Sequence, residues 1–244
     1  MKFNPLFILP NLFTAGSIFL GVLSIISASK ANFEIACWLI LLSMILDGLD
    51  GRVARLTNTS SKFGMEFDSL ADVVAFGVAP AMLLYFYIGV DYGRLGMSIP
   101  AIFVILGAVR LARFNITTSS EPNSFIGLPI PSAAVIVMLW ILIDLEYGLL
   151  KTYHLELVML ICSFIVSILM VSNIRYPSFK KMKWNFKSFI LVILLLGIVY
   201  INPQETLCAL MSGYVLYGIL RWIVLLIKMR LVPAKGGDEA NAKS

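Results

Sequence analysis

The chain has 244 residues, of which 59% are hydrophobic and 14% charged, with a formal net charge of +5 and a mean hydropathy of +0.91. A soluble domain carries about 25% charged residues, so these values exclude an ordinary soluble fold and indicate an integral membrane protein. The excess of positive charge does not point to nucleic acid, because the basic residues collect in the connections between apolar runs.

Crossing a bilayer takes about 20 apolar residues. Candidate runs recur in chain order near 10–28, 33–53, 67–88, 97–114, 131–149, 155–173, 186–201 and 206–228. The first could be mistaken for a signal peptide, since Lys2 precedes it and Ser27, Ala28 and Ser29 follow. Its apolar stretch exceeds the roughly 7–15 residues of a signal core, so it reads as a retained span. Turn chemistry separates the runs at Ser29-Lys30, Asp91 to Gly96, Glu121-Pro122-Asn123, Tyr176-Pro177 and Asn202-Pro203. The expected fold class is an all-α integral membrane protein of about eight transmembrane helices. Residues 1–232 form a single membrane-embedded domain in this reading, and 233–244 a disordered tail rich in Gly, Ala and charge. Cys37, Cys162 and Cys208 lie inside apolar runs and offer neither a disulfide framework nor zinc spacing.

Basic residues set the expected orientation. One set of connections holds Arg52, Arg55, Lys62, Arg110, Arg113, Arg175, Lys180, Lys181, Lys183 and Lys187, and Lys2, Lys228, Arg230 and Lys235 at the termini belong with them. The opposite set holds only Lys30, Arg94 and Lys151. Both termini are therefore expected on the cytoplasmic side of the cell (inner) membrane. The cluster at 175–187 reads as a topology determinant that also attracts anionic lipid.

Residues 46–80 break the apolar pattern with Asp47, Asp50, Asp68 and Asp72. Four unpaired carboxylates inside a bilayer would cost on the order of 10 kcal/mol, so water or cations must offset them. Asp47 and Asp50 are three apart and Asp68 and Asp72 four apart, so each pair shares a helix face. Two adjacent helices can converge all four on one point, a set of hard oxygen ligands suited to one or two divalent cations. Gly51 and Gly64 leave the backbone open to a bulky phosphate ligand. Arg55, one turn past Gly51, can pair with a phosphate. The plain alternative, helix caps and loop charges at a membrane boundary, suits Asp91 and the solvated Glu66 better than four carboxylates in helical register.

These residues spell D-x2-D-G-x2-A-R-x8-G-x3-D-x3-D, with Asp47, Asp50, Gly51, Ala54, Arg55, Gly64, Asp68 and Asp72 at the fixed positions. The stretch resembles the signature of the CDP-alcohol phosphotransferase family. That resemblance implies a core of six transmembrane helices, here with two more at the C-terminus, in an enzyme that commonly forms a homodimer. It implies that Asp47, Asp50, Asp68 and Asp72 hold Mg²⁺ or Mn²⁺, as two ions. It implies further that Asp72 takes the proton of the acceptor alcohol, and that Asp50, Gly51, Ala54, Arg55 and Gly64 cradle the CDP group.

Three further stretches, PNLFTAGSIFLGVLSI at 10–25, RLARFN at 110–115 and FIGLPIPSAA at 125–134, are similar to the phosphatidylserine synthase branch of that family. The implied reaction transfers the phosphatidyl group of CDP-diacylglycerol to L-serine. Serine brings a carboxylate, and an arginine is a natural bidentate partner for it. Arg110, Arg113 and Asn115 are the candidates to bind serine or a lipid phosphate. Asn11 and Thr14 are expected near the nucleotide, and Pro129 and Pro131 at the start of the fifth span. Two rivals stand beside this reading. Another acceptor, glycerol 3-phosphate or inositol phosphate, would call for a denser basic pocket. A divalent-cation channel or transporter would also place carboxylates in the membrane, but these cluster at one face and spans four to eight carry no matching set.

Overall fold

A computed structural model describes residues 8–117, 124–177 and 197–231. The expectations for the tail, for Lys180, Lys181, Lys183 and Lys187, and for most of the seventh span lie outside the described residues; residues 197–201 of that span are helical. The expected all-α membrane class holds. The helices are α1 (Ile8–Ser29), α2 (Phe33–Leu56), α3 (Lys62–Asp72), α4 (Ala79–Tyr87), α5 (Gly93–Thr117), α6 (Ile130–Tyr147), α7 (Leu149–Tyr153), α8 (Glu156–Val171) and α9 (Pro203–Leu231). Five stretches among the described residues are long and apolar enough to cross a membrane: α1, α3 continuing into α4, α5, α6 and most of α9. The 24-residue α2 has the length but carries Glu34, Asp47, Asp50, Arg52 and Arg55. Helix α8 is apolar but only 16 residues long.

Helix α6 is central and α9 peripheral: 61% of the apolar stretch of α6 is buried, against 11% for α9. Outward-facing Leu12, Phe19, Ile35, Ile45, Ile105 and Ile161 are exposed, as lipid-facing residues are. Between apolar helices in lipid there is no hydrophobic driving force, so close packing and hydrogen bonds must hold them together. The α1–α2 pair uses both. Ser17 and Ser43 share a hydrogen bond of 2.8 Å, and Ser24 Oγ donates to the Ala36 carbonyl at 2.8 Å. These bonds fix the register of α1 along the helix that carries Asp47 and Asp50.

The third span begins at Lys62, five residues before the hydropathy reading places it, because Ser61 caps α3. The Ser61 side chain accepts from the Gly64 N–H at 3.0 Å, as an N-cap serine does. The span continues through a π-helical turn, Val73–Val78, directly after Asp72. Pro80 lacks an N–H, and Ala79 reaches back five residues to the Val74 carbonyl, which closes the wide turn. Such turns gather at functional sites, and this one sets the helix phase just beyond the last aspartate.

Sequence reading treats 121–130 and 174–177 as plain connections. The structure adds a short antiparallel ribbon there, β1 (Ser124–Ile126) paired with β2 (Arg175–Pro177). Three residues per strand carry no periodicity that a sequence could display. Arg113 ties the ribbon to the end of α8. Its guanidinium donates to the carbonyls of Val171 (2.8 Å), Ile126 (3.2 Å), Ser172 (3.3 Å) and Met170 (3.4 Å). It therefore serves the carbonyls that a helix C-terminus leaves without partners. Gly127 makes this closure possible: its φ is +79°, and a β-carbon there would strike the Met170 carbonyl and approach Arg113 Nη2 to 2.9 Å. Gly127→Ala is expected to destabilise the fold by about 2 kcal/mol, read as a lower thermal midpoint in detergent. An unchanged midpoint would remove the ribbon from the account of stability.

Candidate active site

The aspartates converge as their spacing requires. One carboxylate oxygen from each of Asp47, Asp50 and Asp68 lies within 4.8 Å of the other two. Asp72 adjoins them, with Asp47 and Asp68 as its nearest charged neighbours. Helix α2 supplies the first pair and α3 the second, and α1 packs against both.

Their environment fits a cation. Asp50 is 6% exposed, and the Asp72 Oδ1 atom is buried with no hydrogen-bond partner. Like carboxylates in contact, one with an orphaned buried oxygen, are costly without a compensating positive charge. The charges of opposite sign that act on the cluster are Arg110 on Asp72 and Arg55 on Asp50. An all-oxygen donor set of this kind is the chemistry that Mg²⁺ and Mn²⁺ take.

Thr14 was expected only near the nucleotide, but it touches the aspartate site directly. Its hydroxyl donates to Asp50 Oδ2 at 2.6 Å, from across the α1–α2 pair. This hydrogen bond holds the Asp50 carboxylate in place beside the cluster. No local pattern announces a contact 36 residues apart in the chain.

A cavity of about 400 Å³ opens beside the cluster. Asp50, Gly51, Ala54, Arg55, Gly64 and Asp68 all line it, together with Pro10, Asn11, Thr14 and the Thr59–Ser61 turn. Every signature position named for the CDP group therefore borders one space. A β-carbon at Gly64 would lie 3.2 Å from Ser61 Oγ and 3.5 Å from Asn11 Oδ1, so glycine keeps this wall open. Arg55 is exposed and passes 3.5 Å from where a Gly51 side chain would begin. Ser61 and the buried Thr59 are wall residues that the signature does not contain. Ser61 had a readable signal, a capping serine three residues before a helical N–H, and Thr59 had none.

The three acceptor candidates separate. Arg110 is 6% exposed, its Nε has no hydrogen-bond partner, and its Cζ lies 5.6 Å from the centre of the Phe114 ring. Asp72 is its first electrostatic partner. Arg113 is engaged with the carbonyls of the α8 terminus and β1. Asn115 is exposed and donates to Ser69 Oγ at 3.0 Å, which links α5 to the turn after Asp68.

Far from this face, Asp144 accepts from Tyr87 Oη at 2.5 Å and from the Leu150 N–H at 2.6 Å, and so anchors the α6–α7 connection. His154 sits just beyond α7 at that end, away from the aspartates.

The comparisons agree with the geometry. Residues 7–169 match the model of the CDP-alcohol phosphatidyltransferase family. A Helicobacter pylori protein named CDP-diacylglycerol–serine O-phosphatidyltransferase is 59% identical over 230 residues, covering 94% of this chain and 97% of that protein. A Methanocaldococcus jannaschii protein of the same name is 38% identical over 210 residues, covering 85% and 94%. A Methanothermobacter thermautotrophicus protein named archaetidylserine synthase is 38% identical over 178 residues, covering 72% of each. The chain belongs to the CDP-alcohol phosphatidyltransferase family.

Proposed function

We propose that this protein transfers the phosphatidyl group of CDP-diacylglycerol to the hydroxyl of L-serine, giving phosphatidylserine and CMP. The observation that supports this most is the pairing of a convergent aspartate cluster with a buried arginine beside Asp72, in a chain 59% identical to a protein named for that reaction. Asp47, Asp50, Asp68 and Asp72 would hold divalent metal, Mg²⁺ or Mn²⁺ as two ions. Bound there, the metal would neutralise the diphosphate and the departing CMP.

The chain's own residues take the remaining roles. The cavity lined by Gly51, Ala54, Arg55 and Gly64 receives the cytidine diphosphate, with Arg55 offering a fork of donors to phosphate oxygen. Arg110 receives the serine carboxylate and so orients the hydroxyl toward Asp72. The hydroxyl oxygen attacks the lipid-side phosphorus, and the bond from that phosphorus to the CMP oxygen breaks. Asp72 accepts the hydroxyl proton, so CMP leaves with the electron pair of the broken bond. A direct displacement of this kind inverts a chirally labelled phosphorus. The reading places the site at the cytoplasmic face of the cell membrane, where nucleotide substrates are, in a homodimer that uses no nucleic acid.

Thr14 orients Asp50 in this scheme. A hydrogen-bonding partner behind a metal ligand is worth about 10- to 100-fold in metal affinity or activity. Thr14→Val is therefore expected to raise the Mg²⁺ or Mn²⁺ concentration needed for half-maximal rate about tenfold, with saturating metal restoring most of the rate. A metal dependence identical to that of the unmodified protein would detach Thr14 from the site's chemistry.

The reading is tested by product analysis. Purified protein receives CDP-diacylglycerol, Mg²⁺ or Mn²⁺, and one acceptor at a time: L-serine, glycerol 3-phosphate or inositol phosphate. A lipid product whose mass is that of phosphatidylserine, formed fastest with serine, supports it. Faster formation of a phosphorylated-alcohol lipid would keep the family and replace the acceptor.

A further inference from the structure

A second cavity, of about 540 Å³, opens at the end of the bundle away from the aspartates, and it is larger than the one of about 400 Å³ beside them. Phe33, at the start of α2, lines it. Asp47 lies fourteen residues further along the same helix, so the two spaces are separated by about 20 Å, most of a bilayer core. Tyr87 at the end of α4 and Asp91 and Tyr92 of the 3₁₀ turn Gly89–Tyr92 form one wall. Asp144 of α6, Lys151 of α7 and Glu156 of α8 form the other. The transfer reaction makes no use of this space.

The lining combines rings, carboxylates and one amine. Phe33 and Tyr87 meet edge to face with ring centres 5.0 Å apart, and Tyr92 adds a third ring. Asp144 is 7% exposed, and its oxygens accept from two neutral donors, the Tyr87 hydroxyl at 2.5 Å and the Leu150 N–H at 2.6 Å. A carboxylate bonded in this way keeps lone pairs for a further donor. Rings beside carboxylates suit an organic ammonium, which is attracted by the ring faces as well as by the charge. A bare divalent ion would take roughly six oxygen ligands instead, and this wall gives three of its places to rings. The bond to Tyr87 explains Asp144 as an anchor of α7, but not an open space rimmed by Asp91, Glu156 and Lys151. Exposed Tyr147 and Tyr153 lie at the same end of the bundle, as aromatic residues do at a bilayer boundary.

We propose that this cavity binds the headgroup of a membrane phospholipid that carries a primary ammonium and no net charge. The ammonium lies among the rings and donates to Asp144, while Lys151 takes the phosphate. Leu145, exposed at 41%, continues the wall onto the outer face of α6 and offers the acyl chains an apolar surface. A free amine gains nothing from that surface, and three carboxylates around one lysine disfavour an anionic headgroup. The inference goes beyond the serine reading and does not depend on it.

The test follows the thermal midpoint of the full chain in detergent as lipid is added at increasing mole fraction, since a ligand that binds only the folded chain raises it. Phosphatidylethanolamine is expected to raise the midpoint at a lower mole fraction than phosphatidylglycerol, and ethanolamine alone to leave it unchanged. Asp91→Asn combined with Glu156→Gln removes two rim charges. It is expected to raise the mole fraction of phosphatidylethanolamine needed about tenfold, the size of one hydrogen bond to a charged group, and to keep the lipid-free midpoint. Lys151→Gln, on the exposed rim, tests the phosphate contact separately and is expected to weaken phosphatidylethanolamine by a similar factor. Glu146→Gln, exposed on α6 and outside the cavity, is the control and should change nothing. Equal responses to the two lipids, an unaltered phosphatidylethanolamine response in both the double variant and Lys151→Gln, or a rise with ethanolamine alone would each overturn the proposal. None of these outcomes bears on the transfer to serine, which is read by product analysis.

Discussion

Asp72→Asn is expected to lower serine-dependent CMP release by about 10³-fold while leaving the folded protein no less stable. The loss follows from chemistry: asparagine keeps the shape of the side chain but cannot take the hydroxyl proton, and it weakens the donor set for metal. The preserved stability follows from electrostatics. Asp72 faces Asp47 and Asp68 and has a buried oxygen without a partner. Neutralising it removes like-charge repulsion and offers an amide donor to the neighbouring carboxylates. Activity with saturating Mg²⁺ or Mn²⁺, and the thermal midpoint without added metal, are the two readouts. A midpoint that falls along with activity would mean that Asp72 holds the fold rather than the reaction, and near-normal turnover would end its role as proton acceptor.

Arg110→Gln is expected to raise the serine KM by roughly 10- to 100-fold, the worth of a charge-assisted, bidentate pair, with a much smaller effect on CDP-diacylglycerol. The reason is the contrast between two neighbouring arginines. Arg113 spends its donors on backbone carbonyls, whereas Arg110 is buried beside Asp72 with an unpartnered Nε. Arg110→Lys, which keeps the charge but loses the fork, is expected to recover only part of the affinity. Separate titrations of the two substrates decide the matter. A larger effect on the CDP-diacylglycerol KM would assign Arg110 to the lipid phosphate instead.

The aspartate site was legible because its information is local. Spacings of three and four residues put each pair on one helix face, and the structure brings three of the carboxylates within 4.8 Å of one another. The membrane helices were legible for the same reason, with ends displaced by a few residues. The start of α3 was misplaced because Lys62 to Asp68 is an amphipathic turn capped by Ser61, which hydropathy alone does not register. The Thr14–Asp50 bond, the clamp formed by Arg113, and the bond from Tyr87 to Asp144 were not legible. Each joins residues distant in the chain, and a single sequence carries no trace of such a pairing. The roles of Arg110 and Arg113 therefore could not be separated by sequence, although three residues on one helix divide them.

In the proposed reaction the aspartate site passes a phosphatidyl group to serine. Its most direct test is CMP release by the purified protein in detergent, with CDP-diacylglycerol and Mg²⁺ or Mn²⁺, in the presence and absence of L-serine. The expected result is release that depends on serine and on added divalent metal, matched mole for mole by phosphatidylserine. Release indifferent to serine, or no release with any alcohol while the same protein carries divalent cations across liposomes, would contradict it.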